Sequence, residues 1–540
     1  MRVWQQTRHR VPEPLRSVGV TVMQLITKTG SENAANAVIR LNPLDDVLIA
    51  RQPVPQGLVL EAEGLVALNP IPSGHKIATR DIEPGQPLRR YGQIIGFASQ
   101  PIRAGEHVHV HNLVMGDFAR DYAFGVDARG VGTQTSDTFM GIVRPDGRVA
   151  TRNYIGILTS VNCSATVAKA IADHFRRDIN PQALIDYPNV DGVVALTHSF
   201  GCAVDPGGEA LAMLRRTLGG YAVHPNFASV LMIGLGCETN QIADLLAAQG
   251  LEKGEFLRAF TIQGTGGTSK TIASGIEQVK SLLAQANHVQ RQPVSASHLI
   301  IGLQCGGSDG YSGITANPAL GNAVDRLVAA GGTAILSETP EIYGAEHLLT
   351  RRAVSREVGE KLIRRIHWWE DYCQRMNAEL NNNPSAGNKA GGLTTILEKS
   401  LGAVAKAGSS DLVDVYEYAE TVRAHGLVFM DTPGYDPVSA TGQVAGGANL
   451  IAFTTGRGSA YGGAPSPSIK LATNSRLWET QEEDMDVNCG GIADGSMTIE
   501  ERGEYIYRMM LRIASGERSK SEQHGYGQNE FVPWQIGAIT

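Results

Sequence analysis

The sequence has few cysteines, few aromatic residues and no long hydrophobic run. Six cysteines in 540 residues are too few for a disulfide framework, so we expect a reduced, cytoplasmic protein. No apolar stretch reaches the length of a membrane span, and residues 18–26 are too short and too polar for the core of an export signal. The sequence therefore predicts neither insertion into a membrane nor export.

The chain also lacks a strong charge of one sign. Its formal net charge is −7, and no run of five like charges occurs, so the electrostatic footprint of a nucleic-acid-binding protein is missing. Glycine, in contrast, is abundant at 62 residues. That much glycine predicts many tight turns and places where the backbone closely approaches a ligand or itself.

The length of the chain predicts two or three domains. We expect a leader at 1–35, with Met23 as an alternative start, and then a small, mostly β domain at 36–115. Its short strands at 47–50, 58–60, 76–78 and 94–97 are separated by Pro/Gly turns. A linker at 116–138 leads to an α/β body with parallel sheets. We divide this body into one domain at 139–380 and a second, with Gly-rich loops, at 381–540.

Four strand-like segments of the body each run into a cysteine. The segments 154–161, 193–200, 230–236 and 299–304 lead to Cys163, Cys202, Cys237 and Cys305. If the four strands share one parallel sheet, the thiols meet at its carboxyl edge, where ligands bind. His198 lies on the strand before Cys202 and is a fifth candidate ligand. Thiolates with an imidazole suit iron, zinc or an iron–sulfur cluster, whereas each cysteine alone is equally typical of a small buried side chain.

Two further groups contain histidine. His75 and Lys76 follow a Pro-Ser-Gly turn, where such a pair can bind a carboxylate or transfer a proton. His107, His109 and His111 alternate and so share one face of a strand. That spacing permits metal binding, but an exposed edge strand explains it as well, and we do not expect these three to bind a metal.

Gly-rich loops carry the remaining candidates. The turn at 306–310 precedes a helix and predicts an anion cradle, with Ser308, Asp309 and Asn317 placed to hold substrate hydroxyls. Asn388 and Lys389 lie in a second loop and Arg457 in a third, and each cation is suited to an oxyacid. Glu338 and Glu341 follow another strand. Helix caps and surface charges are the alternative interpretations.

Together these stretches resemble the altronate and galactarate dehydratase family over nearly everything after the leader. The matching segments are 72–76 (PSGHK), 147–153 (GRVATRN), 197–202 (THSFGC), 234–238 (GLGCE), 305–318, 338–349, 383–392 and 454–463. The resemblance implies an N-terminal SAF (β-clip) domain and a larger dehydratase region. It also implies dependence on Fe²⁺ or another divalent ion such as Mn²⁺, and 2-keto-3-deoxy acid products.

On this basis we expect a hydro-lyase that removes the α-proton of a sugar acid and then its 3-hydroxyl. His75, Lys76, His198 and Lys389 are the candidate acids and bases, while Ser308, Asp309, Asn317, Asn388 and Arg457 are the candidate substrate-binding residues. The metal is expected at Cys163, Cys202, Cys237, Cys305 and His198, either as a single ion or as an iron–sulfur cluster. The segments 104–109, 306–318 and 388–392 favour altronate over galactarate, whereas 435–447 resembles neither branch closely.

Two alternatives stay open. The first is a sulfo-lyase that eliminates sulfite from sulfolactate, which the fused β domain argues against mildly. The second is a non-catalytic protein that binds sugar acids. We also expect a homo-oligomer, most simply a dimer, in which the β domain contributes to assembly.

Overall fold

The three-dimensional structure is a computed structural model that describes residues 37–116, 118, 120–130 and 135–537. The expected leader at 1–35 and the alternative start at Met23 lie outside the described residues. Within the described ranges, no helix is both long enough and apolar enough to cross a lipid bilayer.

The N-terminal unit is built from nine short strands, which confirms the predicted small β domain. Its antiparallel sheets have the orders β1-β2-β5-β8, β3-β4 and β6-β7-β9. The strands are β1 (Val38–Ile39), β2 (Val47–Ala50), β3 (Val59–Leu60), β4 (Leu65–Val66), β5 (Lys76–Ala78), β6 (Pro87–Arg90), β7 (Gln93–Ala98), β8 (His107–Val108) and β9 (Leu113–Val114).

A middle unit contains a four-stranded parallel sheet of order β13-β12-β14-β15, beside an antiparallel sheet of order β11-β10-β16. The strands are β10 (Thr138–Val143), β11 (Val149–Ala150), β12 (Tyr154–Thr159), β13 (Gly192–Leu196), β14 (Phe227–Gly234), β15 (Leu257–Thr261) and β16 (Arg291–Ser295). The helices are α1 (Ala165–Asp173), α2 (Glu209–Ala222), α3 (Ile242–Ala248), α4 (Ile262–Thr265) and α5 (Thr268–Ala286).

The C-terminal unit is built on a seven-stranded parallel sheet of order β19-β20-β18-β17-β21-β22-β23. Its strands are β17 (Ile300–Cys305), β18 (Thr333–Leu336), β19 (Leu412–Tyr416), β20 (Gly426–Met430), β21 (Leu450–Thr455), β22 (Ser468–Ala472) and β23 (Val487–Asn488). The helices are α6 (Ala316–Ala329), α7 (His347–Thr350), α8 (Arg356–Arg375), α9 (Ala386–Ala390), α10 (Ile396–Val404), α11 (Asp436–Ala445), α12 (Ser475–Thr480), α13 (Gly491–Asp494), α14 (Ile499–Ala514) and α15 (Lys520–Gln523). Every residue of β21 is buried, as expected of a central strand covered on both faces.

Two expectations about the body are wrong. The four strands that lead to cysteines do not share one sheet, because β12, β13 and β14 belong to the four-stranded sheet and β17 to the seven-stranded one. The expected domain boundary at residue 380 also fails, since β17 and β18 pair with strands that follow it. The two α/β units instead meet between β16 and β17. The Gly-rich segment 381–392 suggested a boundary, but it contains α9 and connects α8 with α10 inside one unit.

The C-terminal segment ties the two α/β units together. Helices α2 and α11 pack against each other, and Phe531 and Trp534 are buried in the apolar cluster that contains residues of both units. Trp534 stacks on Trp369 of α8 with ring centroids 5.4 Å apart. The units therefore share one continuous core at this joint.

Candidate active site at the carboxyl edge of the large sheet

The chain order of the large sheet reverses at β17. From β17 the chain proceeds to β18 on one side, and later returns to place β21 on the other. The loops that follow β17 and β21 touch, because the Gly456 amide donates to the Gly307 carbonyl at 3.1 Å. Ligands of open parallel sheets bind beyond the carboxyl ends of the strands at such a reversal. A ligand is therefore expected to bind at this edge.

Five ionisable side chains, which we term the charge cluster, are buried at this edge. Lys406 Nζ lies 2.9 Å from Cys305 Sγ and 3.0 Å from Glu338 Oε2. Lys399 Nζ donates to Glu341 Oε1 at 2.7 Å, and the Cys305 thiol lies 3.3 Å from Glu341 Oε2. All five are buried, so each charge is felt strongly by its neighbours.

Burial separates the pKa values of the acids at this edge. Desolvation, and next the charge of Glu341, raise the pKa of Glu338 to about 8. Burial raises the pKa of Glu341 most strongly, yet the Lys399 and Lys406 ammonium groups bring it below its ordinary value. Asp436, at the start of α11, has a pKa raised to about 6 by burial and then by Glu341. Two acids titrating on either side of neutrality are typical of acid–base catalysis.

The charge cluster does not fit a metal ion, although Cys305, Glu338 and Glu341 have ligand atoms close enough for one. The Lys406 ammonium already lies against Cys305 and Glu338, and that of Lys399 lies against Glu341. The two ammonium groups already contact these potential ligand atoms and would repel a metal ion.

An open cleft of about 720 Å³, which we term the arginine cleft, extends along the same edge. Arg51, Arg457 and Arg476 line it together with Asp309, and Arg457 and Arg476 are exposed. Burial raises the pKa of Asp309, whose carboxylate accepts hydrogen bonds of 3.0 Å from the Thr473 hydroxyl. A guanidinium binds a carboxylate through two parallel hydrogen bonds, so the cleft suits an organic acid.

A second edge carries three exposed thiols, which we term the thiol edge. Cys163, Cys202 and Cys237 lie in the loops that follow β12, β13 and β14, which are neighbours in the small sheet. The Asn162 amide donates to the Phe200 carbonyl, and the Asn240 amide donates to the Gly201 carbonyl, both at 3.0 Å. The three loops are thus linked to one another by their own backbones.

One glycine shows how closely two of these loops approach. Gly201 has a φ of +104°, and a Cβ atom there would lie 2.4 Å from the Ser160 carbonyl oxygen. Glu238 fixes the third loop, since its carboxylate accepts from the Ser160 hydroxyl and from the Gly236 amide, each at 2.6 Å. The thiol edge is therefore a rigid arrangement of thiols open to solvent.

Family models match three successive regions of the chain. Residues 36–116 match the altronate/galactarate dehydratase SAF domain, and residues 141–287 match the second domain of D-galactarate dehydratase/altronate hydrolase. Residues 296–539 match the C-terminal part of D-galactarate/altronate dehydratase. The chain belongs to the altronate and galactarate dehydratase family.

Curated relatives of this dehydratase family match almost end to end. Altronate dehydratase of Bacillus subtilis (strain 168) is 34% identical over 90% of this chain and 97% of its own length. Galactarate dehydratase (L-threo-forming) of Escherichia coli (strain K12) is 37% identical over 88% of this chain and 92% of its own. The β subunit of (2R)-sulfolactate sulfo-lyase of Chromohalobacter salexigens is 33% identical over 73% of this chain and 96% of its own.

The structure removes two residues from the predicted metal set. His198 is buried, and both its ring nitrogens bond to backbone, Nε2 to the Thr159 carbonyl at 2.9 Å and Nδ1 to the Phe200 amide at 3.1 Å. Burial lowers its pKa to about 4, so the ring is neutral and has no nitrogen left for a ligand or a proton transfer. Cys305 leaves the set because it lies on the other sheet, within the charge cluster.

Lys76 is not placed to act on a substrate either. Its Nζ is fully buried and donates to both carboxylate oxygens of Glu398 at 2.9 Å, while Arg90 donates to the same carboxylate at 2.6 Å. This triad joins the β domain to helix α10. His75 lies beside it, with Nε2 3.4 Å from the Ala390 carbonyl oxygen.

The predicted substrate-binding residues fall into two groups. Asp309 and Arg457 line the arginine cleft. The others make structural contacts: the Ser308 carbonyl accepts from the Asn388 side chain at 2.8 Å, and Asn317 donates to the Gly402 carbonyl at 2.9 Å. Asn388 also forms the capping box of α9. Lys389, a predicted catalytic residue, is half-buried on α9 directly before the cleft residues Ala390 and Gly391.

Sequence reasoning missed Lys399, Lys406, Asp436 and Arg476. A signal for the first two was present, because they are the only basic residues in the mostly apolar stretch 396–407. A buried helix with a lysine requires a buried acid opposite it. Which acid forms an ion pair with each lysine depends on strand pairing and could not be deduced from the spacing of residues in the sequence.

Proposed function

We propose that this protein is a sugar-acid dehydratase, acting on altronate with galactarate as the next candidate, and forming a 2-keto-3-deoxy acid. One observation carries the proposal: family models match residues 36–116, 141–287 and 296–539, and relatives named as altronate and galactarate dehydratases match nearly end to end. Such a protein is a hydro-lyase whose partner is a small organic acid. We further propose a cytoplasmic homodimer, for which light scattering of the purified protein is the test.

The arginine cleft supports this function by its chemistry. The exposed guanidinium groups of Arg457 and Arg476 suit the carboxylate of the substrate, and the polar network around Asp309 suits its hydroxyls. Asp436 lies along the same edge, since a Cβ atom on Gly306 would be 2.2 Å from its Oδ2. In this proposal a carboxylate bound by arginine and the acid–base groups share the carboxyl edge of the large sheet.

The reaction needs one base and one acid. A base removes the proton α to the carboxylate, and an acid protonates the 3-hydroxyl as it leaves, after which the enol becomes the 2-keto acid. Asp436, with a pKa of about 6, is ionised at neutral pH and serves as the base in this proposal. Glu338, with a pKa of about 8, keeps its proton and serves as the acid. His75 and Lys389 remain further candidates, since both lie beside the 390–391 segment.

We propose that iron is held by the thiol edge, as an iron–sulfur cluster or as a single ion. Three exposed thiols on linked loops are the candidate ligands, because soft thiolates favour iron and zinc over Mn²⁺. Among the described residues their sulfur atoms do not all lie within 4.8 Å of one another, so a cluster, whose ligands bind different iron atoms, suits them better than a single ion. Bound iron would supply Lewis acidity toward the departing hydroxyl. The chain's own contribution is to hold the thiols rigidly, through Glu238 and the bonds between the loops.

A substrate screen tests the function. The protein, purified without oxygen and supplied with iron, is incubated with a panel of aldonates and aldarates, and 2-keto-3-deoxy acids are measured. We expect product from altronate first. Sulfite release from sulfolactate without keto acid from any sugar acid would favour the sulfo-lyase alternative, which the similarity to the sulfo-lyase β subunit motivates. Binding of sugar acids without turnover would favour a non-catalytic protein.

A separate measurement tests the cofactor. Iron, acid-labile sulfide and the visible spectrum are compared in the wild type and in Cys163→Ser, Cys202→Ser and Cys237→Ser. Each substitution should lower the iron content, whereas the control Cys373→Ser, on α8, should not. An active enzyme without sulfide would exclude the cluster, and full iron retention in all three variants would exclude the thiols.

A further inference from the structure

Three histidines of the β domain meet at its boundary with the C-terminal unit. Strand β5 pairs antiparallel with β8, with Lys76 opposite Val108 and Ile77 opposite His107. Continuing this register places His75 opposite His109. Residues opposite one another and residues two apart share a face, so pairing alone brings His75, His107 and His109 to one side of the ladder.

The ring positions agree with the register. His75 Nδ1 lies 3.0 Å from His107 Nε2, and the His75 and His109 rings are 4.8 Å apart at their centroids. One nitrogen from each ring lies within 4.8 Å of the other two. Asn112 holds the turn, because its side chain accepts from the His109 amide and donates to the His107 carbonyl, both at 2.9 Å.

The hydrogen bonding of the trio is incomplete. Within the described part of the chain, His109 Nδ1 is buried without a hydrogen-bond partner. A buried nitrogen in that state costs free energy unless something occupies its lone pair or takes its proton.

We propose that His75, His107 and His109 form a binding site for a late first-row divalent cation, such as Zn²⁺, Co²⁺ or Fe²⁺. The site is distinct from the thiol edge, and it does not depend on the proposed dehydratase activity. Three imidazoles suit these ions, whereas Mg²⁺ and Ca²⁺ require oxygen ligands that the trio does not offer.

The charges around the trio set the expected affinity. Lys76 lies next to His75, and its ammonium is paired with the Glu398 carboxylate, which also binds Arg90. The surroundings therefore carry a small excess of positive charge, so the imidazoles alone must provide the affinity. We do not expect tight binding of a hard cation, because the surrounding charge is positive and the trio has no oxygen ligand.

Cobalt titration of the chelator-treated, full-length protein tests the site. Co²⁺ bound by imidazole gives d–d bands, and Co²⁺ bound by thiolate adds a charge-transfer band, so the two sites are separable in one spectrum. Bound metal is also counted after equilibrium dialysis, in the wild type, His107→Asn, His109→Gln and the control His111→Asn. His111 is exposed and lies outside the trio.

We expect the wild type and His111→Asn to bind one Co²⁺ with imidazole-type bands. His107→Asn and His109→Gln should bind this ion at least tenfold more weakly than the wild type. Mg²⁺ at the same concentration should not compete. The thiolate-type signal should be equal in all four proteins, which also reports that the variants are folded. A wild type without imidazole-type bands, or equal metal content in all four proteins, would overturn the proposal.

Discussion

At the scale of single residues, the charge cluster and Asp436 contain most of the site's chemistry. Glu338 has a positive φ of 71°, which is costly for a residue with a side chain, and its carboxylate lies against Lys406. The strand end thus directs one acid into the cluster, while helix α11 presents Asp436 beside Gly306. Burial raises the pKa of both acids most strongly, and Glu338 is fully buried whereas Asp436 is partly exposed.

Asp436→Asn should remove the acidic limb of the pH profile. If Asp436 is the base, kcat/KM rises with pH through about 6, where its carboxyl ionises, and Glu338 makes it fall above about 8. The substitution should lower kcat by about 10²–10⁴-fold. Asp244→Asn, an exposed control, should leave the profile unchanged. An acidic limb that persists in Asp436→Asn would exclude this residue as the base.

Arg457→Ala should weaken substrate binding rather than the chemical step. Losing a charge-assisted hydrogen bond costs about 1.5–3 kcal/mol, which is about a ten- to hundredfold rise in KM. Arg457→Lys should recover part of the loss, because lysine keeps the charge without the two-pronged geometry. Steady-state kinetics measure both, with the exposed Lys253→Ala as control. A fall in kcat at constant KM would contradict the carboxylate role.

At the scale of elements, the β domain is held to helix α10 by one buried ion triad. Glu398 accepts from Lys76 and Arg90, and from the Thr394 hydroxyl at 2.6 Å. Burial alone would raise the pKa of Glu398, but the two cations bring it down to about 2. Because this lies below its ordinary value of 4.5, the stabilisation is complete above pH 4.5 and is lost as the pH falls toward 2.

Glu398→Gln should destabilise the protein by about 3–5 kcal/mol, because it leaves Lys76 and Arg90 buried without a counter-charge. Urea unfolding at pH 7 measures the change. As control, Glu504→Gln breaks exposed pairs with Arg326 and Arg508 and should cost less than about 1 kcal/mol. Similar values for the two variants would show that the triad adds nothing beyond a surface pair.

At the scale of the whole molecule, the C-terminal segment determines how the two α/β units meet. Trp534 stacks on Trp369, its amide donates to the Tyr418 hydroxyl at 3.1 Å, and Gln535 reaches the Ser199 hydroxyl at 2.7 Å. Phe531 lies 6.4 Å from the His198 ring. The segment thus links the large sheet to the loop that holds Cys202, and so fixes the position of the thiol edge relative to the large sheet.

Trp534→Ala should lower stability by about 3–5 kcal/mol, the usual cost of emptying a large aromatic site. It should also loosen the thiol edge, which faster alkylation of Cys202 would report. Calorimetry and thiol labelling measure the two effects. Ile179→Ala, at a 57% exposed position, is the control for stability. If neither the melting temperature nor the rate of Cys202 alkylation changed, the segment would not be what links the two units.

The sequence by itself determined the β domain, the α/β body and the family. Pro/Gly punctuation and apolar runs are local signals, and each β-domain strand predicted at 47–50, 58–60, 76–78 and 94–97 appears in the structure. The positions of cysteines after strands also predicted that Cys163, Cys202 and Cys237 lie at one edge of a sheet, because a residue that follows a parallel strand lies at the carboxyl edge. The metal that it holds stays a prediction.

Only the tertiary structure shows at which sheet edge each predicted site residue lies. Cys163, Cys202, Cys237 and Cys305 follow equivalent sequence patterns, yet strand order separates the last from the others. The same applies to His107 and His109, which meet His75 through the pairing of β5 with β8. Sequence periodicity specifies the face of an element, whereas strand order and buried charge pairs are contacts between distant segments. A lysine in an apolar helix predicts that a partner exists, and only packing shows that the partners are Glu338 and Glu341.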